Sequence, residues 1–265
     1  MAAKWIITDI DGCLSPEESI PWDLDLLGRF ARICRDASAG RGKVAPMTLC
    51  TGRPQPYVEV LAKILDIRAP MICENGAVFY SLCDNRSIYG PGVTPEKIQG
   101  IRAVRMFIES AILPKHPEAV YQFGKEAQMS VYSENPAIFP DIQRAIEAFV
   151  AENNLPPLEI SPSHYYLNIS MTGVNKGIAL RQLMQQLGVS RNETAGIGDT
   201  EGDLPLRDAV GFFACPANAK PALQARADYV SPHPDIAGVL DILSKPEFQR
   251  APEGCSNCSE YHLLF

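Results

Sequence analysis

The sequence predicts an α/β protein: a core built on a parallel sheet, interrupted by an inserted α+β domain. Three observations predict it. Short apolar strands alternate with amphipathic helices from Lys4 to Tyr80 and again from Asn175 to Leu243. The stretch between them reads helix, strand, strand, twice over, which describes a small antiparallel sheet covered by two helices. Polar, glycine-containing clusters stand where core strands end, the place at which open α/β sheets bind ligands. The expected divisions are residues 1–82 and 173–250 for the core, 83–172 for the insert and 251–265 for a tail.

The core opens on Trp5-Ile6-Ile7-Thr8-Asp9-Ile10-Asp11-Gly12. The apolar lead suits a strand buried on both faces. Alternation along an extended backbone puts Asp9 and Asp11 on one side. Carboxylates that close repel, so a cation or a shared proton must keep them together. Mg²⁺ suits oxygen ligands of this kind. A plain Asp-Gly surface turn is the alternative for the same residues. A helix follows over Asp23 to Ala39, with Leu24, Leu27, Phe30, Ala31 and Cys34 on one face. The strand Val44 to Cys50 stops at Thr51-Gly52-Arg53-Pro54, and the next helix carries Val58, Leu61, Ile64 and Leu65. Pro70 to Cys73 is a strand, Glu74-Asn75-Gly76 a turn, and Ala77 to Tyr80 extended.

In the insert, Thr94 caps a helix that starts at Pro95 and runs to about Leu113. Ala119 to Phe123 and Gln128 to Tyr132 form two strands joined by Gly124-Lys125-Glu126. A helix from Ala137 to Glu152 is stopped by Pro156-Pro157, and strands follow at Leu158 to Ile160 and Tyr165 to Met171. Strand–helix alternation then resumes. Asn175 to Leu187 is helical and opens with Lys176. Thr194 to Ile197 is a strand ending in Gly198-Asp199, followed by a helix over Leu204 to Asp208. Gly211 to Cys215 and Tyr229-Val230 are strands, Pro221 to Ala227 and Ile236 to Leu243 helices.

Bulk properties narrow the partners. The 265 residues are 46% hydrophobic and 21% charged, with a net charge of −7, an ordinary globular balance. An acidic surface repels nucleic acid and anionic membranes, so neither is an expected partner. A small phosphorylated substrate is, provided a local positive site offsets the field. No apolar run reaches membrane length, and no apolar signal segment opens the chain. Of the eight cysteines, Cys34, Cys50, Cys73 and Cys215 sit in apolar elements and read as core residues of a reducing compartment. The cytoplasm is therefore expected, with the protein a monomer or homodimer.

Four stretches carry chemistry: Asp9-Ile10-Asp11-Gly12, Thr51-Gly52-Arg53, Lys176, and Gly198-Asp199-Thr200-Glu201-Gly202-Asp203. Three fall at strand ends, and Lys176 falls at a helix N-terminus, which favours anions. Phosphoryl transfer needs these types. One carboxylate attacks phosphorus. A second protonates the leaving oxygen and then activates water. A divalent cation offsets the repulsion between two anions. A hydroxyl, an N–H and a lysine hold the non-bridging oxygens. Asp9, Asp11, Asp199, Thr51, Gly52 and Lys176 supply that set.

In their order, these four stretches resemble the four motifs of the haloacid dehalogenase superfamily of Mg²⁺-dependent aspartyl phosphatases. The layout of the insert, and Cys73-Glu74-Asn75-Gly76-Ala77, resemble the Cof-type branch with its sucrose-phosphate and mannosyl-3-phosphoglycerate phosphatases. The resemblance implies a Rossmann-like core with an αββαββ cap that closes over the site. It implies Asp9 as nucleophile and Asp11 as general acid/base. Mg²⁺ would be held by Asp9, the Asp11 carbonyl and Asp199, with Asp203 joining or supporting them. The phosphoryl group would be held by Thr51, the Gly52 amide and Lys176. Asn218 matches a further asparagine near the site. The chain departs from the pattern at Cys13, where threonine is usual, and at Gly202, where asparagine often precedes the last aspartate. An aspartate at position 11 argues against a dehalogenase or phosphonatase.

Substrate contacts are expected from Arg53 beside the phosphate site and, in the insert, from Lys125, His164, Tyr165 and Asn168. Ordinary strand packing also accounts for Tyr165 and Asn168, and a solvated hairpin for Lys125. The tail's Cys255, Cys258 and His262 fall short of a closed zinc site, which needs four ligands, and read as a tail without metal. The expected activity is hydrolysis of a sugar phosphate or related organic phosphate. The alternatives are a phosphomutase on the same fold, or a protein that binds a phospholigand without turnover.

Overall fold

The computed structural model describes residues 3–16, 20–163 and 165–250. The chain divides into two compact units, one built from the chain up to Ile88 and from Asn175 on, the other from Tyr89–Val174.

The first unit centres on a five-stranded parallel sheet. Its strands are β1 (Trp5–Thr8), β2 (Met47–Leu49), β10 (Thr194–Ile197), β11 (Phe212–Cys215) and β12 (Tyr229–Val230), in the order β12-β11-β10-β1-β2. All its pairings are parallel. β1 is wholly buried, as its apolar run requires. The chain leaves β1 toward β2 in one direction and adds β10 and β11 in the other. The strand order therefore reverses at β1, and loops after β1, β2 and β10 converge there.

Helices α1 (Leu24–Ser38), α2 (Gln55–Leu65), α5 (Lys176–Leu187), α6 (Leu204–Ala209), α7 (Pro221–Gln224) and α8 (Asp235–Ile242) belong to this unit. Asp23 caps α1 by accepting the Leu26 N–H at 2.9 Å, and the helix buries Phe30, Cys34 and Ala37. Asn175 caps α5 in the same way through the Ile178 N–H at 3.0 Å. Trp5, Ile7, Phe79, Leu180, Leu206 and Phe213 share one core.

A second, three-stranded sheet in this unit orders β3 (Met71–Cys73), β4 (Val78–Ser81) and β5 (Arg86–Tyr89). The sequence reading has no strand at β5. Its residues are largely exposed, so no apolar alternation marks it. The strand carries the first unit on to Ile88, six residues past the expected division at 82.

The other unit holds an antiparallel sheet of β6 (Val120–Tyr121), β7 (Met129–Tyr132), β8 (Leu158–Ser163) and β9 (Tyr166–Met171), ordered β6-β7-β9-β8. Buried and half-buried residues alternate along β9, the period of a sheet with one covered face. Helices α3 (Pro95–Phe107) and α4 (Phe139–Glu152) accompany it, and Phe107 stacks on Phe149 with ring centroids 4.2 Å apart. The helix expected to reach Leu113 loosens instead into a π turn over Ile108–Ile112 and a 3₁₀ turn over Leu113–Lys115. Pro114 lacks an N–H and its ring crowds the preceding turn, which accounts for the change.

Candidate active site

The loop after β1 brings its two carboxylates to different neighbours. Asp9 is buried. Its Oδ1 accepts the Ile10 N–H at 2.7 Å and its Oδ2 the Lys176 ammonium at 2.6 Å. Lys176, at the first turn of α5 and 4% exposed, makes a second ion pair at 2.6 Å to Asp203. Asp203 also accepts the Asp199 and Thr200 N–H groups at 3.0 and 3.2 Å. One carboxylate oxygen of Asp203 thus grips Lys176 while the other shapes the loop after β10. Asp203 and Thr200 close a capping box there.

Asp11 turns to Arg53. The guanidinium donates from Nε to both carboxylate oxygens, at 3.1 and 2.8 Å, and from Nη2 to Oδ1 at 2.6 Å. This fork is the strongest geometry that an arginine and a carboxylate adopt. Arg53 also lies over the Tyr57 ring, 5.2 Å from its centroid. Thr51 is fully buried at the end of β2, and its Oγ1 accepts the Arg53 N–H at 3.1 Å. Asn218 acts as a strut: its Nδ2 donates to the Gly12 carbonyl, and its Oδ1 accepts the Asp235 N–H, both at 2.8 Å.

Ligand atoms of Asp9, Asp199 and Asp203 lie within 4.8 Å of one another, all on buried side chains. Three oxygen donors this close suit a hard cation. Gly12 makes room for them. Its φ is +67°, and a Cβ there would lie 2.0 Å from Asp199 Oδ2, so the position requires glycine. The donor set fits Mg²⁺.

The electrostatics agree with that fit. Burial, then the neighbouring Asp203 and Asp11, raise the Asp9 carboxyl to about 7 against the pull of Lys176. Burial opposes the Lys176 charge, yet Asp203 and Asp9 outweigh it and hold its pKa well above the ordinary lysine value. Burial, aided by Asp199, Asp9 and Asp203, pushes the Cys13 thiol well up. Cys13 therefore stays a neutral thiol beside the acidic cluster.

The Asp9 shift has a consequence for the metal-free protein. Its folded pKa of about 7 stands above the ordinary 3.8. The folded chain then retains a proton that the unfolded chain has lost, so this group's contribution to stability falls as pH rises from about 4 to 7. Without divalent metal, Asp9→Asn is expected to gain stability relative to the unsubstituted protein over that window, by at most on the order of 4 kcal/mol. Urea unfolding of both proteins in chelator at pH 5 and pH 7.5 checks this. A difference that does not change with pH contradicts it.

In the second unit, the Lys125 ammonium donates to Ser130 Oγ at 2.8 Å, and Ser130 Oγ donates to Asn168 Oδ1 at 2.9 Å. Tyr165 packs edge-on against Tyr132, with centroids 6.1 Å apart. The structure thus joins Lys125 to Asn168 through Ser130, a residue the sequence does not single out. A small polar side chain on a strand carries no signal of its own. His164, Cys255, Cys258 and His262 lie outside the described residues.

The chain is similar in sequence and fold to several known proteins. The family described as haloacid dehalogenase-like hydrolase matches residues 114–243. A phosphoglycolate phosphatase of Archaeoglobus fulgidus is 29% identical over 240 residues, covering 91% of this chain and 95% of that protein. Another, of Methanococcoides burtonii, is 28% identical over 220 residues, covering 83% and 85%. Among solved structures, Thermoplasma acidophilum 0175 superposes with a TM-score of 0.70 at 19% identity, covering 92% of this chain and 98% of the other. The sucrose-phosphatase of a Synechocystis species, solved with sucrose and phosphate, has a TM-score of 0.61 at 17% identity, with 92% and 98% covered.

The fold is α/β, and the carboxylate–lysine cluster stands at the ends of its parallel strands. The family match, the relatives and the shared fold together support a phosphatase of the haloacid dehalogenase superfamily, similar to its Cof-type branch.

Proposed function

We propose that this phosphatase is Mg²⁺-dependent, works through an aspartyl phosphate on Asp9, and acts on small phosphorylated organic acids or sugars. The observation that carries the reading is the buried Asp9–Lys176–Asp203 chain, with the Asp199 carboxylate inside the same 4.8 Å cluster. The Archaeoglobus and Methanococcoides relatives act on phosphoglycolate by name. Phosphoglycolate is accordingly the first substrate to try, ahead of sugar phosphates.

Asp9, Asp199 and the Asp11 carbonyl would hold the cation, with Asp203 joining or supporting them. Mg²⁺, when bound, supplies positive charge that offsets repulsion between nucleophile and phosphate. Lys176, the Thr51 hydroxyl and the Gly52 N–H hold the non-bridging oxygens. An Asp9 carboxylate oxygen bonds to phosphorus as the bond to the ester oxygen breaks, and Asp11 gives the leaving oxygen its proton. Asp11 then takes a proton from water, whose oxygen attacks the acyl phosphate, releasing inorganic phosphate and restoring Asp9. Arg53, held beside this centre by Asp11, faces the leaving group. Lys125, Tyr165 and Asn168 are the insert's candidates for recognising the organic part of a substrate, and Asn218 steadies the Gly12 loop.

No helix of the described residues is long and apolar enough to cross a membrane. The described cysteines Cys13, Cys34, Cys50, Cys73, Cys83 and Cys215 are free thiols, which supports a cytoplasmic setting.

Phosphate release is expected from 4-nitrophenyl phosphate, and more efficiently from phosphoglycolate, in Mg²⁺ and not in excess chelator. A panel of phosphoglycolate, phosphoglycerates, sugar phosphates and nucleotides ranks the substrates. Isomerised product without free phosphate would instead make the protein a mutase. Tight binding without turnover in saturating Mg²⁺ would make it a binding protein.

A further inference from the structure

The turn Glu74-Asn75-Gly76, between β3 and β4, has a backbone the proposed mechanism leaves unexplained. Glu74 and Asn75 have φ of +49° and +53°, and Gly76 has φ of +107°. Successive non-glycine residues in the left-handed region persist only where the surroundings over-determine them. Here the surroundings are the Thr51-Gly52-Arg53 loop. The Glu74 N–H donates to the Arg53 carbonyl at 3.1 Å, and the Asn75 N–H to the Thr51 carbonyl at 2.9 Å. The Thr51 N–H in turn donates to the Ile72 carbonyl at 2.9 Å. The left-handed turn aims two consecutive N–H groups at the loop.

The side chains continue the contact. Oδ1 and Nδ2 of Asn75 each lie 3.2 Å from where a Cβ on Gly52 would stand, so the carboxamide lies against the Gly52 backbone. On the other side, a Cβ on Gly76 would lie 2.5 Å from the Asn175 carbonyl oxygen. Asn175 is the cap of α5 and immediately precedes Lys176. One turn therefore touches both the loop of Thr51 and Gly52 and the start of the helix that carries Lys176.

We infer that Glu74-Asn75-Gly76 is a positioning turn that sets the Thr51-Gly52 loop against the Lys176 helix, with the Asn75 carboxamide holding Gly52 in place. The inference rests on the proposed reading that Thr51, Gly52 and Lys176 hold the phosphoryl group. Asn75 acts through Gly52, not on the reacting atoms. Donors that must meet charge developing on phosphorus have to be fixed before it develops. Releasing one of them by about 1 Å costs on the order of 10²-fold in rate. Little of that loss belongs to ground-state binding.

Asn75→Gly tests this in the full chain, because glycine readily adopts the left-handed backbone while the side chain that bears the carboxamide is deleted. With 4-nitrophenyl phosphate in Mg²⁺, kcat is expected to fall roughly 10- to 100-fold with KM changed less than about threefold. Inhibition by orthovanadate, which mimics the transition state, should weaken by the same factor as kcat/KM, while inhibition by inorganic phosphate stays nearly constant. Thr51→Ala is measured beside it. If Thr51→Ala loses activity and Asn75→Gly keeps its kcat/KM and vanadate inhibition, the positioning role is overturned. If neither variant changes them, the phosphate-holding reading itself fails, a distinct pattern. Should Asn75→Gly not fold, Asn75→Asp, which also tolerates the left-handed region, is read on the same two constants, and unchanged values overturn the inference.

Discussion

Asp9→Asn is expected to lose turnover and the phosphoenzyme together. An amide oxygen is a poor nucleophile, and no other carboxylate in the cluster is placed by the mechanism to replace it. The fold should tolerate the change. Oδ1 of an asparagine can still accept the Ile10 N–H that Asp9 accepts at 2.7 Å. Lys176 loses one ion pair and keeps the other, to Asp203 at 2.6 Å. An amide NH₂ facing the Lys176 ammonium sets donor against donor, so the side chain settles by turning or by admitting water. Rapid-quench measurement of acid-precipitated, ³²P-labelled protein, from a labelled phosphate ester in Mg²⁺, compares the two proteins. Label incorporated equally by Asp9→Asn and by the unsubstituted chain would sink the nucleophile assignment and the mechanism with it.

What the sequence shows of this site is its polar residues at the ends of apolar strands. Asp9, Thr51 and Asp199 are legible because each follows a short buried strand, with a glycine next to Thr51 and Asp199 and three residues after Asp9. β1, with β2 on one side and β10 on the other, then brings them together. Pairings across the chain are not legible. Lys176 lies 167 residues from Asp9, and Arg53 lies 42 from Asp11. Nothing local to either residue records its partner. The same limit hides Asp203, which reads as the last aspartate of a loop until its two oxygens are seen on Lys176 and on the Asp199 and Thr200 N–H groups.

Elements fail for a different reason. β5 carries Arg86, Ser87, Ile88 and Tyr89, mostly exposed, and an exposed edge strand has no buried face to impose alternation on its sequence. The glutamate, asparagine and glycine at 74–76 read as a turn, and they are one. That the turn is left-handed throughout, and backs onto Gly52, follows from the loop it meets and not from its own residues.

Asp11→Asn is expected to slow hydrolysis according to the leaving group. The substitution leaves Asp9, Lys176 and the Asp11 main chain in place, so attack on phosphorus survives. It removes the proton donor to the ester oxygen and the base for water, help worth on the order of 10²–10⁴-fold. A nitrophenolate leaves without a proton, whereas an alkoxide does not. In kcat/KM, which reports the step that expels the leaving group, the loss should therefore be near the top of that range for phosphoglycolate or a sugar phosphate and much smaller for 4-nitrophenyl phosphate. The second step needs the base with either substrate, so phosphoenzyme should accumulate with the aryl ester. The Arg53 fork offers a rival account, since asparagine cannot accept the guanidinium at both oxygens as Asp11 does, and a freed Arg53 alters the pocket by itself. Arg53→Ala separates the two: it breaks the fork and leaves the acid, so it should cost alkyl and aryl esters alike. The measurement is kcat/KM across a series of esters whose leaving groups span a wide pKa range. A steep dependence in Asp11→Asn, beside a shallow one in Arg53→Ala, identifies Asp11 as the acid. Parallel slopes in the two variants would leave Asp11 as no more than the anchor of Arg53.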